Sequence, residues 1–102
     1  MHYLLFYDVV GDFAERRVSH RAAHLAHARQ AVERGDLLLG GAFAHPIDGA
    51  VSVFSGTSPA VAERFAAEDP YVTHGLVTGW HVREWTTVVG PLAASPVPDG
   101  PS

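Results

Sequence analysis

From Tyr3 to Val9 every residue except Asp8 is apolar or aromatic, so both alternating sets, Tyr3, Leu5, Tyr7, Val9 and Leu4, Phe6, Asp8, are oily. A strand with one wet face alternates; this one predicts a strand covered on both sides. Gly11-Asp12 ends it. A helix follows, from about Phe13 or Val18 to Arg34, with Gly35 as its C-cap and Val18, Ala22, Leu25, Arg29 and Val32 as its inner stripe. Leu37 to Phe43 and Ala50 to Phe54 read as two strands joined by His45-Pro46-Ile47-Asp48-Gly49, where Asp-Gly suits positive φ.

Ser58 with Pro59 announces a second helix that carries Val61, Phe65 and Ala62 or Ala66 inward and stops before Asp69-Pro70. Asp69 to Gly75 reads as an irregular connection. Thr78 to Val88 is the last strand, with Trp80, Val82, Glu84 on one face and His81, Arg83, Trp85 on the other; Trp80 and Trp85 read as core and interface. The order βαββαβ predicts an α+β, ferredoxin-like domain over residues 1–89: a four-stranded antiparallel sheet with two helices on one face. Residues 90–102 hold four of the seven prolines and read as a disordered tail. Nothing in the chain is left to cover the second sheet face, so a homodimer through that face is expected.

Composition narrows the partners. The chain of 102 residues has room for one domain, and its net charge of −4 comes with seven Arg and no Lys. Without a concentrated basic stripe, nucleic acid is not an expected partner. No segment is long and apolar enough to span a bilayer, so no membrane partner is expected and a cytoplasmic, bacterial protein is the natural reading. Absence of Cys removes thiolate metal sites and thiol nucleophiles.

Histidine carries the candidate chemistry. His20, His24 and His27 fall within an arc of about 60° on the first helix, off the apolar stripe, at roughly 100° per residue. The plain reading of His20 and His27 is solvated surface. A metal site would need a carboxylate on the same face, and none is there, so no metal is expected. The other reading pairs a helix histidine with Asp69, which is otherwise a turn former before proline; a carboxylate on one imidazole nitrogen fixes the tautomer for proton transfer from the other. Tyr7, Asp8, Arg21, Tyr71 and His74 are candidate cleft residues, Asp8 being a lone acid on a covered strand with an Arg as its expected partner.

Four blocks in order, Arg21-Ala22-Ala23-His24-Leu25, Gly35-Asp36-Leu37-Leu38-Leu39-Gly40-Gly41, Asp48-Gly49 and Asp69-Pro70-Tyr71-Val72-Thr73-His74-Gly75-Leu76, resemble the YCII-related family over roughly residues 1 to 89. The resemblance implies a ferredoxin-like fold that dimerises through its sheets into an α+β barrel, and a His–Asp active-site pair at His24 and Asp69. One branch of that family eliminates chloride from chlorinated hydroxyhydroquinones. The family often has Pro where this chain has Ala22, and Gly-Pro where it has Gly41-Ala42, so the substrate is not carried over. The matching blocks are not those of the monooxygenases of the same barrel superfamily. Two functions are therefore expected to compete: a cofactor-free enzyme using His24 and Asp69 for elimination or hydrolysis of a small molecule, or a non-catalytic dimeric module that binds a small ligand or supports a partner.

Overall fold

The structure, a computed structural model, describes residues 1–98. Strand β1 (His2–Val9) is followed by a short helix α1 (Phe13–Arg16), a 3-10 turn (Arg17–Ser19) and helix α2 (Arg21–Glu33). Strands β2 (Leu37–Ala42) and β3 (Gly49–Ser55) form a hairpin. Helix α3 (Ala60–Glu68), a one-turn helix α4 (Pro70–Thr73) and strand β4 (Val77–Trp85) complete the domain. All pairings are antiparallel, in the order β2-β3-β1-β4. The α+β ferredoxin-like arrangement expected from the sequence is the one observed.

Register decides which half of β1 meets the helices. Tyr3, Leu5 and Tyr7 stand opposite Phe54, Ser52 and Ala50 on β3, and opposite Glu84, Val82 and Trp80 on β4. Tyr3, Leu5, Tyr7 and Phe54 join Phe13, Phe65, Tyr71 and Leu76 in the core beneath α3 and α4. The other set, Leu4 and Phe6, shares its face with Val51, Val53, Leu39 and Trp85, and with the polar His81 and Arg83 of β4. Leu39 is 71% and Trp85 46% exposed there, so the second face is mainly apolar and uncovered in a single chain.

Two expectations need correction. The stripe predicted as the inner side of α2 is not its packed side: Val18 is 74% and Val32 53% exposed, and Ala31 is the one fully buried residue of the helix. The helix is turned by roughly 150° from that expectation, at about 100° per residue, so that His24, His27 and Ala31 face the core. Planar imidazoles pack against aromatic rings there, which apolar periodicity does not register. The 3-10 turn before Arg21 also detaches Val18 from the helix. Second, the segment from Asp69 contains a helical turn where an irregular connection was expected. In the described part of the tail, Ser95 N and Val97 N donate to the carbonyls of Thr87 and Val88, just beyond β4, at 3.0 Å each. The Thr87 hydroxyl meets His2 Nδ1 at 2.7 Å and accepts from Ala94 N at 2.8 Å. The rest of the expected disordered tail lies outside the described residues.

Two glycines hold the hairpin and its approach. Gly35 ends α2 at φ +83, the left-handed C-cap conformation. Gly49 is needed for closeness and not for positive φ: a Cβ there would stand 3.1 Å from the Phe43 ring and 3.1 Å from the Tyr7 carbonyl. The positive φ of the hairpin belongs to His45, at 52°. Gly49→Ala should therefore destabilise the domain by about 1–3 kcal/mol, the usual cost of overpacking. Thermal melting checks this, and an unchanged melting temperature would show that Phe43 yields freely.

Candidate active site

Asp69 is where three elements meet. The chain leaves α3 at this residue in extended conformation, and Pro70 starts α4 with the φ a first helical turn requires. The Asp69 carboxylate caps α4 by accepting from Tyr71 N at Oδ1, 3.0 Å away. Oδ1 also meets His24 Nδ1 at 2.8 Å, and Oδ2 accepts from the Tyr7 hydroxyl at 2.7 Å. The side chain is wholly buried. Turn former and histidine partner, the two readings weighed for Asp69 in the sequence, are both realised by one carboxylate.

Three groups able to donate converge on this buried carboxylate. A neutral His24 must then carry its proton on Nδ1 to serve Asp69, which leaves Nε2 as the basic nitrogen. The ring is held a second way, stacked on Tyr71 with centroids 3.9 Å apart and 9° between planes. Tyr71 in turn meets Phe13 edge-on at 5.3 Å. Burial, reinforced by the Asp69 charge and the hydrogen bond to it, pushes the Tyr7 phenol far above its ordinary value. Tyr7 is therefore a permanent donor and not an acid at physiological pH.

His24 lines a cavity of about 400 Å³ between α2 and the β2–β3 side of the sheet. Tyr7, Tyr71 and Arg21, all candidates from the sequence, line it too. Leu25, Ala28 and Val32 form the helix wall, Leu37, Gly40 and Ala50 the sheet wall. Leu25, Arg29 and Val32 of the stripe predicted as core thus face this cavity. Arg17 and Arg29 line it as well and were not picked out as site residues. The one available signal was Arg29 itself, a cation placed within an otherwise apolar stripe.

Two candidates fall elsewhere. Asp8 is exposed, opposite Gly49 and Gly79 beside the register shift that leaves Thr78 of β4 unpaired, and among the described residues it has no ion pair. Neighbours without side chains leave its carboxylate open to water, so the expected Arg partner is unnecessary. His74 closes α4, is exposed, and stacks on His20 at 4.3 Å, outside the cavity lining. His27 stacks on Phe65 at 4.4 Å and donates from Nε2 to the Phe65 carbonyl at 2.9 Å. His20 and His27 are thus packed, half-buried rings and not the solvated surface expected. Among the described residues, no three His, Asp or Glu side chains converge as metal ligands would, and no helix is long and apolar enough to cross a membrane.

The family model for the YCII-related domain matches residues 1–86. Among solved structures, the chain is similar to 5-chloro-2-hydroxyhydroquinone dehydrochlorinase from Burkholderia phenoliruptrix in complex with 2,5-dihydroxybenzoquinone. That match has TM-score 0.71 and 21% identity, covering 85% of this chain and 95% of the other. A NIPSNAP family protein from Agrobacterium tumefaciens matches with TM-score 0.55 and 17% identity, over 89% and 96% of the two chains. Protein Atu4242 from the same organism matches with TM-score 0.55 and 12% identity, over 92% and 98%. At these identities the structural matches establish the fold. A comparison with curated proteins found no match.

The Tyr7–Asp69 bond has a pH signature. With its folded pKa raised above the unfolded value near 10, Tyr7 contributes fully below that pH; its contribution is lost as the unfolded chain ionises, by about 1.4 kcal/mol per pH unit. Tyr7→Phe should lower stability at neutral pH by about 1–3 kcal/mol through the acceptor left unpaired on Asp69. It should also flatten the alkaline fall in melting temperature. Parallel alkaline slopes for wild type and variant would refute the assignment.

Proposed function

The chain belongs to the YCII-related family, and we propose that it is an enzyme acting on a small molecule, with His24 Nε2 as general acid/base and Asp69 as its orienting carboxylate. The observation that carries this reading is the 2.8 Å contact between Asp69 and His24 Nδ1 at the side of the cavity. Nε2 takes a proton from the bound molecule or from an attacking water, Asp69 stabilises the imidazolium, and the same proton returns to the leaving group. Such a cycle suits elimination or hydrolysis without a covalent intermediate and asks for no cofactor. The similarity to a dehydrochlorinase is in keeping with that chemistry and leaves the substrate open.

The same reading includes a homodimer in which the uncovered faces carrying Leu4, Phe6, Leu39 and Trp85 meet, sheet against sheet. Their apolar character supports a second copy as the cover. Light scattering should give a mass near twice 10.9 kDa; a monomer at micromolar concentration would sink this part.

A screen of hydroxylated aromatic and carbonyl compounds for turnover and thermal stabilisation tests the enzymatic part. His24→Ala, assayed at a temperature where the variant is folded, should lower kcat by about 10²–10⁴, the usual size of acid–base catalysis. It should also lower the melting temperature, because Asp69 loses a donor and Tyr71 its stacked ring. Undiminished turnover would remove His24 from the mechanism. Stabilisation by a ligand that wild type never converts would favour the alternative, a non-catalytic ligand-binding module.

A further inference from the structure

A chain of net charge −4 brings three of its seven arginines, Arg17, Arg21 and Arg29, to one cavity. The described ion pairs engage Arg16 with Asp12 and Arg34 with Asp36; no described carboxylate pairs with these three. The cavity lining contains no Asp or Glu. Asp69, behind it, is engaged by its three donors. Arg17 is held over the Phe13 ring, 5.6 Å from its centroid, which fixes its charge at the rim. Arg21 and His24 both lie at the start of α2, where the first turn has neither an acidic residue nor a side-chain cap, so the helix's positive end adds to the same field.

A second, independent observation lies in Tyr71. Its ring lines the cavity, and the residue is 5% exposed. Its hydroxyl is the one buried side-chain polar atom without a hydrogen-bond partner among the described residues. Burial raises the phenol's pKa, while the charges of Arg21 and Arg17 and a hydrogen-bonding approach of the Arg21 guanidinium oppose the rise. A buried O–H with nothing to donate to, approached by a guanidinium that no described carboxylate pairs, is a set of donors without an acceptor. The remaining walls, Leu25, Ala28, Leu37 and Ala50, are apolar.

We propose that the Arg17–Arg21–Tyr71 end of the cavity seats an oxyanion. The molecule presented to His24 is then a small carboxylate or phenolate whose apolar body lies against α2 and β2. This rests on the reading of the cavity as an active site and names the class of its substrate. Arg21 and Tyr71 bind the anion and Arg17 adds charge at the entrance, while proton transfer stays with His24.

Binding tests this without knowledge of the reaction. The full chain is titrated with benzoate, with 4-nitrophenolate above its pKa, and with neutral benzamide, followed by amide chemical shifts. The two anions should bind and perturb α2 and α4, with benzamide at least tenfold weaker; their ranking separates carboxylate from phenolate. Arg21→Gln, at an exposed position that leaves the core alone, should weaken the preferred anion about tenfold, as expected for one charged hydrogen bond. Tyr71→Phe should weaken it while keeping the ring stacked on His24. Equal affinity for benzamide, unchanged affinity in Arg21→Gln, or no binding of either anion at millimolar concentration overturns the proposal. Full turnover in His24→Ala with anion binding still dependent on Arg21 would sink the acid–base reading and leave the oxyanion seat standing.

Discussion

A carboxylate buried without solvent has to be matched by donors, and in this fold Asp69 takes them from three different elements. Tyr7 brings the middle of β1, His24 the first turn of α2, and the Tyr71 amide the start of α4. Loss of any one donor leaves a buried acceptor short of a partner in a medium where that is costly. The position of α2 over the sheet is therefore set as much by this polar node as by apolar contact. Only Ala31 of that helix is fully buried, while both of the histidine rings that face the core are anchored by hydrogen bonds.

That arrangement also accounts for the cavity. A helix held by His24 and His27 on the α3–α4 side turns its aliphatic stripe, Leu25 and Val32, toward β2, where the strand offers Gly40, Gly41 and Ala42 in place of bulky side chains. Small residues on one wall and a tethered helix on the other leave space that neither can close. Stability and site geometry are thus products of the same contacts.

Much of the fold was legible in the sequence. The doubly apolar β1, the Gly35 stop, the Ser58-Pro59 start and the four-strand order are local signals, and tertiary packing agreed with them. The orientation of α2 was not legible. Hydrophobic periodicity counts Leu25 and Val32 as core and gives His24 and His27 no credit, although stacked imidazoles fill space as aromatics do. The pairing of His24 with Asp69 came from residue chemistry and family resemblance together, and the contact agrees with it. Tyr7, Arg21 and Tyr71 fell in the cavity as expected. Asp8 and His74 did not, because the sequence cannot show that Asp8 faces glycines across its strand or that His74 ends a helical turn pointing elsewhere. Arg17 escaped notice because a 3-10 turn, invisible to helical spacing, carries it to the rim.

The placement of β2 has a consequence for how such a protein changes over time. It is an edge strand, and from Leu38 to Ala42 its residues are exposed, so little of the core rests on them. The His24–Asp69 pair, by contrast, is embedded in contacts that tolerate little. One wall of the chamber is therefore free to drift in shape while the opposite wall is held constant. A scaffold divided in this way lets the shape of the cavity change through a few substitutions at a sheet margin, without rebuilding the buried node that holds His24.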